Sequence, residues 1–145
     1  MRVLLDTNVV LDFVLERAPY FEAAAELFEL IAAGTVRGFV SGITPINVYY
    51  VGRKFVGREK ARNRVRDLLI VLETCPITSA ALNNALALPF KDYEDAVQHA
   101  SAIETGLDAI ITRDLGDYQN SVLPVFAPVE FLQHQKSKLK EESGT

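Results

Sequence analysis

The chain of 145 residues has one cysteine, Cys75, and two histidines. A single thiol excludes an intrachain disulfide and a thiolate metal centre, and it suits a reducing cytosol. Cys75 itself reads as a small buried hydrophobe. No apolar run approaches the roughly 18 residues that a membrane span needs, and no basic segment leading into a long apolar core is found at the N-terminus. The expectation is a soluble, cytoplasmic protein with no membrane partner. Charge of one sign is also scarce. The net charge of -4 gives no general attraction to nucleic acid, so such binding needs a local patch. No repeat at a period of roughly 20 to 50 residues is present, which argues against a solenoid. With nearly half its residues apolar, the chain reads as one domain, residues 1–135, followed by a loose solvated tail, 136–145.

The stretch that organises the rest is Arg2-Val3-Leu4-Leu5-Asp6-Thr7-Asn8-Val9-Val10-Leu11-Asp12. Val3, Leu4 and Leu5 form a continuous apolar run of the kind buried on both faces of a parallel sheet. Asp6 stands at the strand's carboxyl end, where the loops of an open α/β sheet converge on a ligand crevice. Two readings are open. Asp6 or Asn8 caps the following helix, since Asp, Thr and Asn favour that position, or Asp6 is a site carboxylate. Asp12 reads either as a solvated helix-surface acid or as a contributor to the site.

Val9 to Arg17 predicts a short helix closed near Pro19. Tyr20 to Ala33 predicts a longer one, with Phe21, Ala24, Leu27, Phe28 and Ile31 at spacings of three and four. Gly38-Phe39-Val40-Ser41 is a second short strand. Thr44-Pro45-Ile46-Asn47 opens the next helix, with Thr44 as N-cap and Pro45 at the first helical position, and Gly57 ends it. Another helix follows from Arg58 to about Val71, with Ala61, Val65, Leu68, Leu69 and Leu72 on one stripe, so the pair makes a hairpin or arm. Glu73 to Ile77 is a short strand or link, and Ser79 to Leu88 a helix. Ser121 to Phe126 is a last strand, placed at a sheet edge by Pro124, and Pro128 to Gln135 a closing helix.

Along the arm lie Arg53, Lys54, Arg58, Lys60, Arg62, Arg64 and Arg66, against Glu59 alone. Taken alone this is a solvated helix face. Beside an acidic metal site, a better explanation is an arm whose Arg53, Lys54, Arg58, Arg62 and Arg66 follow the phosphate backbone of RNA. An acidic protein partner would fit the same charges.

The second informative stretch is Asp92-Tyr93-Glu94-Asp95-Ala96-Val97-Gln98-His99-Ala100. Asp92 reads as the N-cap of a helix with Asp95 in its first turn. Asp95 also borders the face of Ala96, Ala100 and Ile103, and a carboxylate at a buried face needs a partner. Leu107-Asp108-Ala109-Ile110-Ile111-Thr112-Arg113-Asp114 repeats the logic of the opening stretch, a buried strand ending in a hydroxyl and an acid. Asp117 and Tyr118 follow in the same loop. His99 shares the helix of Asp95 and reads as a bystander, and His134 reads as a surface residue.

In a parallel sheet, two strands built this way point Asp6 and Asp114 to the same edge, and an α/β sheet would gather Asp95 with them into one crevice. Clustered carboxylates either share protons or hold hard cations. Without a second cysteine or a histidine spacing, zinc is disfavoured, and oxygen ligands suit Mg2+ or Mn2+. Such an ion activates water and stabilises charge on a phosphoryl group, so the predicted reaction is phosphodiester hydrolysis. Thr7, Asn8 and Thr112 would orient the carboxylates.

Asp6-Thr7-Asn8, Asp92-x-x-Asp95-Ala96 and Thr112-Arg113-Asp114 with Asp117-Tyr118 resemble the successive motifs of the PIN-domain family, in their usual order and across nearly the whole chain. The resemblance implies a three-layer α/β/α fold around a central, mostly parallel five-stranded sheet. It implies a ribonuclease using Mg2+ or Mn2+, with Asp6, Asp95, Asp114 and Asp117 as ligands. It also implies a VapC-like toxin, usually a homodimer neutralised by a small antitoxin. One position departs from the pattern: the helix after the second strand normally carries a glutamate where this chain has Asn47. An amide binds a cation through its oxygen but adds no charge, so Asp92 or Asp117 would have to compensate, or the site is weak or inactive. The alternative function is a PIN-like module that binds RNA or protein without cleaving. A haloacid dehalogenase-type phosphatase would need a second Asp at position 8, which is Asn8. A response-regulator receiver would need an acidic pair near the first strand, before its phosphoacceptor, and none precedes Asp6.

Overall fold

Five short apolar runs pair side by side in a computed structural model that describes residues 1–144. They are β1 (Arg2–Leu5), β2 (Arg37–Ser41), β3 (Glu73–Cys75), β4 (Ala109–Ile111) and β5 (Val125–Phe126), in the sheet order β3-β2-β1-β4-β5. Every pairing is parallel. Parallel neighbours need crossover connections, and helices supply them. The helices are α1 (Thr7–Val14), α2 (Phe21–Ala32), α3 (Thr44–Val56), α4 (Arg58–Val71), α5 (Ser79–Leu86), α6 (Tyr93–Thr105) and α7 (Pro128–Ser143), with a 3-10 turn at Leu115–Tyr118.

Alternation along β1 sorts the layers, because successive strand side chains face opposite ways. Val3 and Leu5, with Val40, Ala109 and Ile111, pack against Leu27, Phe28 and Ile31 of α2, Leu68 of α4 and Phe131 of α7. Leu4, with Phe39, Cys75 and Ile110, faces Ala102 of α6 and Tyr118 on the other side. Helix α5 lies outside α6 through Ala81, Ala85, Ala96 and Ala100. The result is the three-layer α/β/α arrangement expected from the motifs. Cys75 is fully buried, as its reading requires. Among the described residues no helix is long and apolar enough to cross a membrane.

The strand order decides where a site can form. From β1 the chain moves to β2 and β3 on one side, then returns to β4 and β5 on the other. Between β1 and β4 the direction of winding reverses, which opens a crevice at the carboxyl ends of those two strands.

Four local expectations change. Ile43 occupies the N-cap of α3 and Thr44 is its first residue, with Thr44 Oγ1 2.9 Å from Thr7 Oγ1. The hydroxyl is engaged by the first residue of α1 and so caps nothing. Leu69 is exposed, so the buried stripe of α4 runs through Ala61, Leu68 and Leu72 at its end. The last strand is shorter than predicted because Ser121 Oγ and Leu123 close a local turn, leaving only Val125–Phe126 to pair at the edge. The residues from 136 onward, expected as a loose tail, continue α7 to Ser143 with exposed side chains. Their Lys, Leu and Glu content favours helix. Thr145 of that expected tail lies outside the described residues.

Leu27 is fully buried between α2 and the sheet. Leu27→Ala is expected to cost about 2–5 kcal/mol, the range for a buried leucine whose cavity cannot collapse. Urea unfolding should show a lower midpoint at unchanged slope.

Candidate active site

Asp6 follows β1 directly, and its backbone extends the ladder by one bond, from Asp6 N to Ile111 O at 2.9 Å. Its carbonyl accepts the first bonds of α1, from Val9 N and Val10 N. Asp6 is therefore the N-cap by backbone, yet its carboxylate makes no capping bond. The side chain turns into the crevice instead. It is only 6% exposed, and it accepts from Thr112 Oγ1 at 2.8 Å and from Gln98 Nε2 at 3.0 Å. Burial raises its pKa and Asp114 adds to the rise, while the two side-chain bonds oppose it. Asp6 thus occupies the N-cap position through its backbone, while its carboxylate bonds to Thr112 and Gln98 and not to the helix.

From Asp6 the network spreads to the other predicted acids. Thr112 Oγ1 also accepts from Asp114 N at 3.1 Å, and Asn8 Nδ2 donates to Asp114 Oδ2 at 2.8 Å. On the other side, Gln98 Nε2 reaches Tyr118 Oη at 3.4 Å, and that hydroxyl donates to Asp95 Oδ1 at 3.3 Å. Asp92 caps α6 by accepting from Asp95 N at 2.9 Å, as predicted. Burial, then the charges of Asp6 and Asp92, push the Asp95 carboxyl up to about 7. Burial, then the charges of Asp6 and Asp95, raise the Tyr118 hydroxyl, so it stays a donor. Asp117 is exposed but close enough to act on Asp95 by charge.

Asp6, Asp95 and Asp114 thus share one edge, joined through Thr112, Gln98 and Tyr118 and not through each other. Among the described residues no three His, Cys, Asp or Glu side chains are gathered closely enough to hold a metal ion. Each acid is bonded to an amide or hydroxyl. The donor chemistry still suits a hard cation. Among the described residues, no Lys or Arg pairs with Asp6, Asp95, Asp114 or Asp117. Gln98 Oε1 and Asn8 Oδ1 are buried oxygens without a hydrogen-bond partner. Such oxygens are expensive to leave unpaired, and a cation is a partner that needs no donor.

Other predicted residues fall differently. The Thr7 hydroxyl orients no carboxylate, since it meets Thr44, and Thr7 acts on Asp6 through its backbone instead. Asn47 Nδ2 donates to Glu94 Oε1 at 2.7 Å, bringing to the cleft an acid that the motif reading passes over. Burial, Asp92 and Asp6 all raise Glu94, against the Asn47 bond. Asp12 is not a solvated surface acid: it is 2% exposed and pairs with Arg17 Nε at 2.9 Å and Arg113 Nε at 3.1 Å. Arg113 also stacks over Tyr20, so Asp12 fastens the β4 loop to α1. His99 is fully buried, packs on Phe90 and accepts from Val122 N at 3.1 Å, a structural place away from the acids. Exposed His134 lies against Phe126. Gln98 carried no sequence signal beyond its position one turn from Glu94 and Asp95.

The arm is built as predicted. α3 and α4 join at Gly57, whose φ of 87° suits glycine. Arg53, Lys54, Arg58, Arg62 and Arg66 are all exposed, and Arg58, Arg62, Asn63 and Arg66 line a surface cleft. Arg53 lies over the Tyr50 ring. Arg64 differs, since its Nη1 donates to Val14 O at 2.6 Å, at the end of α1.

With this geometry in place, the family comparison is decisive: a PIN-domain model matches residues 2–116. The chain belongs to the PIN-domain family. No curated protein sequence matches it. Among solved structures it resembles the VapBC2 complex of Rickettsia felis bound to a promoter DNA fragment, at 16% identity and a TM-score of 0.69 over 86% of this chain and 97% of that one. A toxin-antitoxin complex from Klebsiella pneumoniae matches at 23% identity and a TM-score of 0.67, covering 87% and 97%. VapC20 of Mycobacterium tuberculosis, described as a sarcin-ricin loop cleaving toxin, matches at 14% identity and 0.60, covering 74% and 86%. At these identities the likeness is one of PIN fold.

The raised Asp95 makes a pH prediction for metal-free protein. Its carboxyl near 7 in the folded state lies above the ordinary unfolded value of about 4, so the folded state holds the extra proton between those limits. Its contribution to stability is therefore favourable near the low end, falls as pH rises through the window, and levels off above it. Asp95→Asn is expected to flatten this fall and to raise the unfolding midpoint at about pH 7.5 relative to wild type, as measured by urea titration across that range.

Proposed function

We propose that this PIN-domain protein is a Mg2+- or Mn2+-dependent endoribonuclease that hydrolyses RNA phosphodiester bonds, the toxin of a type II toxin-antitoxin pair. The observation that carries the proposal is the set of acids at the β1–β4 edge with no cationic partner among the described residues and with buried amide oxygens left unpaired beside them. Asp6, Asp95 and Asp114, with Asp117 nearby, would hold the ion. Bound there, it supplies activation of water and neutralises charge developing on the phosphoryl group.

The chain's own residues do the rest. Thr112 and Gln98 hold the Asp6 carboxylate in one orientation, and Asn8 does the same for Asp114. Fixed ligands of this kind lose less freedom when an ion binds. The exposed cations of the arm supply attraction for phosphates that the acidic chain as a whole lacks. The toxin-antitoxin complexes and the sarcin-ricin loop cleaving toxin among the structural relatives support two of the partners proposed, a small antitoxin and RNA; the proposal also includes a second copy in a homodimer and a place in the cytoplasm.

A second reading is a PIN-like module that binds RNA or a protein without cutting. Asn47, and acids that are near one another but not gathered in threes among the described residues, favour it.

Hydrolysis of a panel of structured and single-stranded RNAs with Mn2+ separates the two. Wild type should cut only with metal. Asp6→Asn and Asp114→Asn should lose activity on the order of a hundredfold or more, since even partners of metal ligands are worth about 10–100-fold. Metal-independent cutting, or equal cutting by the variants, would sink the nuclease reading and leave binding. In the same protein Arg62→Ala with Arg66→Ala should weaken RNA binding for all sequences and shallow its salt dependence, by about one unit of slope per lost phosphate contact. Fluorescence anisotropy across a salt series reads both.

A further inference from the structure

Position 47 is where this site has an amide in place of an acid, and the fold pairs that amide with an acid from another helix. Asn47 sits in the first turn of α3, and its Nδ2 donates to Glu94 Oε1 at 2.7 Å. Glu94 is the second residue of α6, between Asp92, which caps the helix, and Asp95. Positions four apart on a helix lie on one face, and four residues after Glu94 comes Gln98. That residue is 1% exposed. Its Nε2 donates to Asp6 Oδ1 at 3.0 Å and reaches Tyr118 Oη, while its Oε1 is buried with no partner. The amide cannot be turned over to cure this, because its oxygen would then face the Asp6 carboxylate. An orphaned carbonyl oxygen beside Asp6, on the α6 face that also carries Glu94, points to a cationic ligand there.

We propose that Glu94 is the acid that completes the divalent-cation site in place of a carboxylate on α3. Helix α6 provides the charge, and α3 provides only its placement, through the Asn47 amide. Glu94 is exposed, and without that bond it would be an untethered acid on the first turn of α6. With it, the side chain is tied across the cleft between α3 and α6. The inference rests on the nuclease reading of the same site and adds to it a ligand residue and a positioning residue, Asn47.

Glu94→Gln isolates the charge, because glutamine keeps an oxygen for Asn47 Nδ2 to donate to. Mn2+ affinity of the full chain, read by the electron paramagnetic resonance signal of free Mn2+, is compared for wild type, Asp6→Asn, Glu94→Gln and the double variant Asn47→Glu/Glu94→Gln. Thermal unfolding without metal checks that each is folded. Wild type should bind, Glu94→Gln should bind about tenfold or more weakly, and the double variant should return to within a few-fold of wild type because it restores one acid from the α3 side. If Glu94→Gln binds as wild type does while Asp6→Asn does not, Glu94 is outside the site and the inference falls alone. Loss without rescue overturns the exchange between positions 47 and 94. If wild type binds no Mn2+ at millimolar concentration, the metal-dependent reading falls with it.

Discussion

The bond from Asp6 N to Ile111 O is the constraint on which the site depends. It prolongs the β1–β4 ladder by one residue, so Asp6 and Thr112 leave the sheet side by side at the point where the winding reverses. From that adjacency the rest follows. The Asp6 carbonyl is committed to starting α1, its carboxylate is left to the crevice, and the Thr112 hydroxyl bridges Asp6 to the backbone of Asp114. Helix α6 then needs to contribute only Gln98 and Asp95 to close the chain of bonds through Tyr118.

Two buried acids on the same short segment show how differently the fold treats negative charge. Asp12 is met by two guanidinium groups and serves packing. Asp6 is met by neutral donors and the fields of other acids, and burial works against its ionised form. A fold selected for stability alone would neutralise both. Leaving one edge of the sheet uncompensated while covering the adjacent acid is the pattern expected where binding has been favoured over stability.

Much of this was legible in the sequence, for reasons that can be named. β1 and β4 are apolar runs that end in a polar triplet, and such runs have few other places to go in a protein of this size. Asp6 and Asp114 could therefore be assigned to one edge before any coordinates, and Asp95 was added to them as an acid bordering the buried face of its helix. Glu94 could not, because an acid in a first helical turn is adequately explained by the helix dipole, and the partner that gives it meaning lies 47 residues away. Asp12 was ambiguous for a similar reason: Arg113 comes from a distant loop, and the pair exists only once β4 lies beside β1. Thr44 fits the rule for an N-cap, but its hydroxyl is taken by Thr7, a tertiary contact that overrides the local preference. The final residues have polar composition and good helix propensity together, and the helix already begun at Pro128 decides between them.

Arg64 gives the arm a property that its charge count conceals. Its guanidinium is fastened to the carbonyl of Val14, at the far end of the helix whose first turn carries Asn8, the residue that holds Asp114. The hairpin is consequently fastened to the same short helix that shapes the acidic edge. Substitution on the exposed outer face of α4 changes charge alone, whereas substitution at this inward arginine alters alignment before it alters charge.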